Sequence, residues 1–150
     1  MNDFFRYIGY AVVSIFLGWI SAHYPSVNYI GKIEVSIVPI LLSLFVLYTT
    51  LSSLLIKEIL KYKATQKDLV ADIAPTINAL KRNVVIELII LCITFIALIL
   101  KGFLLEIFVG YDWIVNTFTN SLIVFSILYF LLVIYDSFAG LFNILIENTK

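Results

Sequence analysis

Charge is what this sequence has least of. Asp, Glu, Lys and Arg together make up 13% of its 150 residues, roughly half of the ~25% usual in soluble domains. So few charged groups cannot cover a water-facing surface. Cysteine and histidine each occur once, which excludes an intramolecular disulfide and any zinc site built on paired Cys or His ligands. There is no HExxH, no GxSxG, no glycine-rich phosphate loop and no nucleophile–base pair at recognisable spacing. Catalysis is therefore not expected, and neither a cofactor nor a resident metal is implied. Only three prolines and six glycines interrupt the chain, leaving room for long helices.

What fills the space is hydrocarbon. Hydrophobic residues reach 62%, the mean hydropathy is +1.05, and the apolar residues gather into four stretches at about 4–23, 35–56, 84–105 and 118–146. Each is long enough to cross ~30 Å of bilayer as a helix rising 1.5 Å per residue. The expectation is an all-α membrane protein: one membrane domain over 1–150 with four transmembrane helices. The first stretch reads as a retained span and not a cleaved signal peptide. Ile20 stands where a processing site needs a small residue, and the amino-terminal region is barely basic.

The basic residues give the orientation. Arg6, Lys57, Lys61, Lys63, Lys67, Lys81, Arg82 and Lys150 border one set of connections, whereas only Lys32 and Lys101 border the other. Basic residues flanking spans stay in the cytoplasm, so both termini and the 57–83 segment are expected inside. Orientation alone accounts for that charge, and nucleic-acid binding is not expected.

Between the spans, Pro25, Asn28 and Gly31 suggest a tight outer loop over 24–34, bordered by His23, a poor metal ligand on its own. Span two continues without a stop through Lys57-Glu58-Ile59-Leu60-Lys61. Thr65 then offers a cap, with Asp68 three residues on. Leu69, Val70, Ile73, Ile77 and Leu80 follow at helical spacing, and Pro75 is expected to break or kink that run. The 57–83 segment thus reads as an amphipathic cytoplasmic helical hairpin, suited to the bilayer surface or a cytoplasmic protein partner. The aromatic and polar mixture of 106–120 suggests a turn at Gly110 and Asp112 with a short interfacial helix.

Span one carries Ala11, Ser14, Gly18 and Ala22 as a strip of small residues. Such strips let helix backbones approach closely, and packing within the chain is the favoured use here. Trp19, Tyr24 and Tyr29 mark its outer aromatic belt.

Polar residues recur inside the spans at intervals of seven, nearly two helical turns. Ser36, Ser43, Thr50 and Lys57 do so in span two; Glu87, Thr94 and Lys101 in span three; Tyr129, Asp136 and Asn143 in span four. Serine and threonine can bond their own helix carbonyls, so their presence alone favours ordinary packing. Glu87 and Asp136 are different, because a carboxyl group among lipid chains is costly enough to imply use. Glu87, Asp136, Ser43, Thr50, Thr94 and Tyr129 are candidates for an ion path and its inner mouth. Arg6, Lys57 and Arg82 lie at similar depth and offer a salt-bridge cluster as the alternative.

These features resemble RexB and the small four-span phage-exclusion proteins of bacteria. The likeness rests on a basic-flanked first span, a Pro-containing outer loop, a Ser/Thr-bearing second span running into Lys57-Glu58-Ile59-Leu60-Lys61, a third span with an early Glu87 and a short polar tail. It implies depolarisation of the bacterial inner membrane in phage defence. Three functions follow as expectations. The first is a homo-oligomeric channel or pore-forming effector, its copies closed into a ring. The second is a membrane anchor docking a cytoplasmic partner through 57–83. The third is a small exporter or translocator, although span one lacks the glutamate found in four-helix multidrug exporters.

Overall fold

A computed structural model describes the backbone of residues 2–24, 29–65 and 74–147, and the side chains over 5–24, 30–61 and 74–143. Five helices follow one another: α1 (Asn2–His23), α2 (Tyr29–Glu34), α3 (Ile37–Thr65), α4 (Ala74–Ile107) and α5 (Asp112–Glu147). No strand occurs among the described residues. Four of these helices, all except α2, are long and apolar enough to cross a membrane. This is a multi-pass α-helical membrane protein. Val12, Phe16, Ile89, Ile96, Ile99, Leu131 and Phe142 are among the many large apolar side chains left exposed, a surface that lipid solvates and water does not.

The helix ends differ from the sequence expectation in two places. The 24–34 connection contains the helix α2, which leads into α3 through a tight turn closed by the Ser36 amide on the Ile33 carbonyl (2.8 Å). At the same end of the first unit, where His23 meets Trp113, 106–120 holds no separate interfacial helix. α4 runs to Ile107, Gly110 turns the chain with φ of +90°, and α5 starts at once with Asp112 in its first turn. That left-handed backbone suits glycine, and an acid in the first turn suits the helix dipole. Finally, Pro75 stands at the start of α4, and the residues before Ala74 lie outside those described. It is the second residue of α4, in the first turn, where its missing amide leaves no carbonyl unpaired and its fixed φ already fits. Thr65 closes α3 and opens nothing within the described residues. Asp68, Leu69, Val70 and Ile73, read as part of the hairpin, lie outside them.

At 34 and 36 residues, α4 and α5 are about 50 Å long, well beyond the ~30 Å of hydrocarbon. Both therefore project past the lipid core.

The chain divides into two compact units, residues 1–42 with 89–129 and residues 43–88 with 130–150. In the first unit α1 turns Ser14, Gly18 and Ser21 inward. Gly18 lies so close to α5 that a Cβ there would collide with the Ser121 hydroxyl and come within 2.6 Å of its amide nitrogen and 2.9 Å of its Cα. The small-residue strip is thus used for packing within the chain, where close backbone approach gives the dispersion contact that lipid cannot drive. The Thr94 and Ser126 hydroxyls join α4 to α5 at 2.8 Å. Lys101 of α4 donates to the Glu34 carboxylate of α2 at 2.5 Å, so Lys101 does more than sit at an interface. Around His23, the rings of Trp19 and Trp113 lie 4.8 and 5.2 Å away, making the expected aromatic belt a three-ring cluster.

In the second unit, α3 contributes Tyr48, Leu51, Leu55 and Ile59 to the interior. α4 contributes Leu80 and Glu87, and α5 contributes Phe130, Val133, Ile134 and Ser137. Spacings of three, four or seven residues put each set on one helix face.

The contact at Gly18 generates a prediction. Gly18→Ala should lower thermal stability in detergent micelles by about 1–3 kcal/mol, because backbone atoms of Ser121 must shift to admit the methyl group. Gly9 faces open space, so Gly9→Ala should be neutral or stabilising by about 0.5–1 kcal/mol. Equal effects at the two positions would contradict this account of α1 packing.

Candidate functional site: a buried carboxyl group in the second unit

The six candidate path residues do not share an environment. Glu87, Thr94 and Tyr129 are buried, whereas Ser43, Thr50 and Asp136 are exposed. Arg6, Lys57 and Arg82 are exposed as well. The seam of span two faces outward along its length, at Ser36, Ser43, Thr50 and Lys57.

The hydroxyls need no water path to explain them. Thr50 donates to the Val46 carbonyl at 2.8 Å and Ser137 to Val133 at 2.9 Å, each four residues back; of Thr94 and Ser126, one donates to the other, which in turn donates to its own helix, at Ile90 or Leu122. This back-bonding satisfies a hydroxyl inside an apolar slab at little cost. Tyr129 is a packing residue on one side at least: its ring lies 6.0 Å from that of Tyr7 and 6.2 Å from that of Phe125.

Glu87 is the exception. Its relative exposure is 0%, and neither carboxyl oxygen has a hydrogen-bond partner among the described residues. Lys57 and Arg82, offered by the sequence as countercharges, make no pair with it. Five residues of helix separate Glu87 from Arg82, about 7 Å along the axis.

Its surroundings are polar but neutral. The Tyr48 hydroxyl lies close to the side chains of Ser52, Asn83 and Ser137 and within electrostatic reach of Glu87. Tyr48 is fully buried and directs its hydroxyl toward the Leu80 carbonyl at 3.4 Å. Ser52 is buried, with its Oγ unpartnered too. Three helices thus bring together one carboxyl group, three hydroxyls and one amide. The hydrogens of Tyr48 and Ser137 already point at backbone carbonyls.

Sequence reasoning reached Glu87 but missed Tyr48, Ser52, Asn83 and Ser137, because the seven-residue repeat passes them by. A signal was present at shorter range. Tyr48 and Ser52 are four residues apart, as are Asn83 and Glu87, and such pairs share a helix face. Metal chemistry of the zinc or iron type finds no support here: no group of three or more His, Cys, Asp or Glu side chains gathers among the described residues.

An unpartnered carboxyl group in such a place costs stability. In buffer whose only cation is choline, Glu87→Gln should therefore unfold at higher temperature than the unsubstituted protein, with a gain on the order of 1–3 kcal/mol. A loss of stability in the amide variant would show that Glu87 is held by partners. Comparison with protein-family models, with curated proteins and with solved structures yields no match to this chain.

Proposed function

We propose that this chain is a cation-permeation protein of a bacterial inner membrane, with both termini and the 57–83 segment in the cytoplasm and with Glu87 as its intramembrane ion site. The observation that carries the reading is the buried carboxyl group with two unpartnered oxygens. Membrane proteins bear that cost where an ion must be received.

Glu87, Thr94 and Tyr129 turn inward within one chain. That arrangement favours a site inside each protomer over a ring of carboxylates about an oligomer axis. Homo-oligomers would then carry several such sites in parallel, meeting through outward-facing residues such as Ser43, Thr50 and Asp136. Likeness to the phage-exclusion proteins supplies a biological setting, depolarisation of the host membrane during infection. The docking reading draws on a different observation, the exposed Lys57, Lys61, Lys81 and Arg82.

Membrane potential in cells and ion flux in proteoliposomes test the proposal. At equal abundance, Glu87→Gln should slow flux by at least roughly tenfold, the effect of losing about 1.4 kcal/mol at the rate-limiting barrier. Asp136→Asn should leave most of it. Absence of flux from the unsubstituted protein, in cells and in liposomes, would favour docking through 57–83. Flux that Asp136→Asn abolishes and Glu87→Gln spares would move the site to the protein's outer surface.

A further inference from the structure

We infer that the ion received at residue 87 is a proton, bound covalently to one oxygen of the Glu87 side chain and given up again. The buried group then alternates between acid and carboxylate. This inference rests on the reading of Glu87 as the ion site and names its occupant.

Coordination comes first. A metal cation that leaves water needs a shell of oxygens in its place. Calcium and magnesium take about six to eight, and potassium filters replace the whole hydration shell with rings of carbonyls. Glu87 has its own two oxygens, with no bond to any other group among the described residues. Two oxygens fall short of such a shell, whereas a proton needs one.

Charge comes second. Glu87 is 0% exposed, and a bare carboxylate is the most expensive state it could hold there. A cation inside the second unit would relieve that cost, but the described residues place none there. Lys57 and Lys61 of α3 face outward, as do Lys81 and Arg82 of α4. The half-buried Glu58 lies 4.0 Å from Lys61, and Tyr135 and Asp136 of α5 are exposed. Tyr48 of α3 is the titratable group that shares this interior, fully buried and directed toward the Leu80 carbonyl. A phenol is neutral near pH 7, with an ordinary value of about 10, so it balances no charge. Taking up a proton is the neutralising step that these surroundings leave to Glu87.

The step balances without a further reagent. Hydronium reaching residue 87 from one side gives up its proton, an O–H bond forms on a carboxyl oxygen, and water remains. Release toward the other side breaks that bond, returns the proton to water and leaves the electron pair on the carboxylate. One positive charge crosses in each cycle. Since the group is fully buried, each transfer waits on an opening that admits water, as in a carrier and not an open pore.

Infrared spectra of the full chain in nanodiscs read the state of residue 87 directly. Exposed carboxyl groups are ionised at about pH 7, so a carboxylic-acid carbonyl band at that pH reports a buried acid. The unsubstituted protein should show the band, Asp136→Asn should keep it, and Glu87→Gln should lose it. Alkali should remove it reversibly, and replacing choline chloride by sodium or potassium chloride at constant ionic strength should leave it unchanged. Absence of the band at neutral pH would overturn the inference. So would a band that sodium or potassium removes, which would assign the site to a metal ion. A band that survives the most alkaline medium the fold tolerates would make Glu87 a static acid and overturn it as well. A titrating band in a protein that moves no protons into liposomes would retain the proton site and end the permeation reading. Potassium flux without the band would retain permeation and end this inference.

Discussion

Hydrocarbon offers a polar group no partner, and this constraint shapes almost every feature of the molecule. Backbone amides and carbonyls can be satisfied only within helices, which explains why helix is the one regular structure present among the described residues. Hydroxyls are admitted where they fold back on their own helix, as Thr50 and Ser137 do, or where two pair and one of them folds back, as with Thr94 and Ser126. The Lys101–Glu34 pair puts two charges against each other. Glu87 meets the constraint with a whole carboxyl group and no partner for either oxygen among the described residues, and that cost is why function is assigned to it. A carboxyl group that only packed could be replaced by leucine or glutamine at a gain, and nothing else in its surroundings requires a charge.

The same solvent removes the usual reason for helices to associate, since a leucine is as comfortable against lipid as against protein. Close approach has to substitute. Gly18 against Ser121 brings two backbones together in the first unit, while in the second Leu55 reaches the space over Gly140 at 3.9 Å from where a Cβ would stand. Along α1, small residues face inward and large ones, Val12, Val13, Ile15 and Phe16, face out, the inverse of the soluble pattern. Stability in this protein is a matter of fit between surfaces.

Much of this was legible in the sequence. Runs of apolar residues gave four helices, and hydropathy alone was enough because the membrane permits few other structures. Position 18 could be picked out because small residues recur every three or four positions. Helix ends were harder. Pro75 reads as a breaker when the residues before it are taken as helical, yet it fits the first turn of α4, and only the three-dimensional start of the helix separates those two roles. α2 is six residues long, too short for periodicity to register. The polar seams were half right. A seven-residue interval finds residues on one face but not which way the face points, so Ser43 and Thr50 came out exposed while Glu87 and Thr94 came out buried. The polar neighbours of Tyr48 come from three helices, and no spacing within one helix can announce a neighbour on another.

The central claim is that residue 87 lies buried inside a single chain. Disulfide formation in intact membranes tests it directly, using Glu87→Cys in a Cys92→Ser background so that position 87 carries the only thiol. A disulfide needs two α-carbons within about 7 Å, which copies of residue 87 reach only if they face a common axis. Under copper-catalysed oxidation the account predicts that the protein stays at the size of one chain, while Cys92, exposed in the unsubstituted protein, serves as the control for thiol access. A disulfide-linked dimer through position 87 would contradict the account and place the carboxylates around a shared pore.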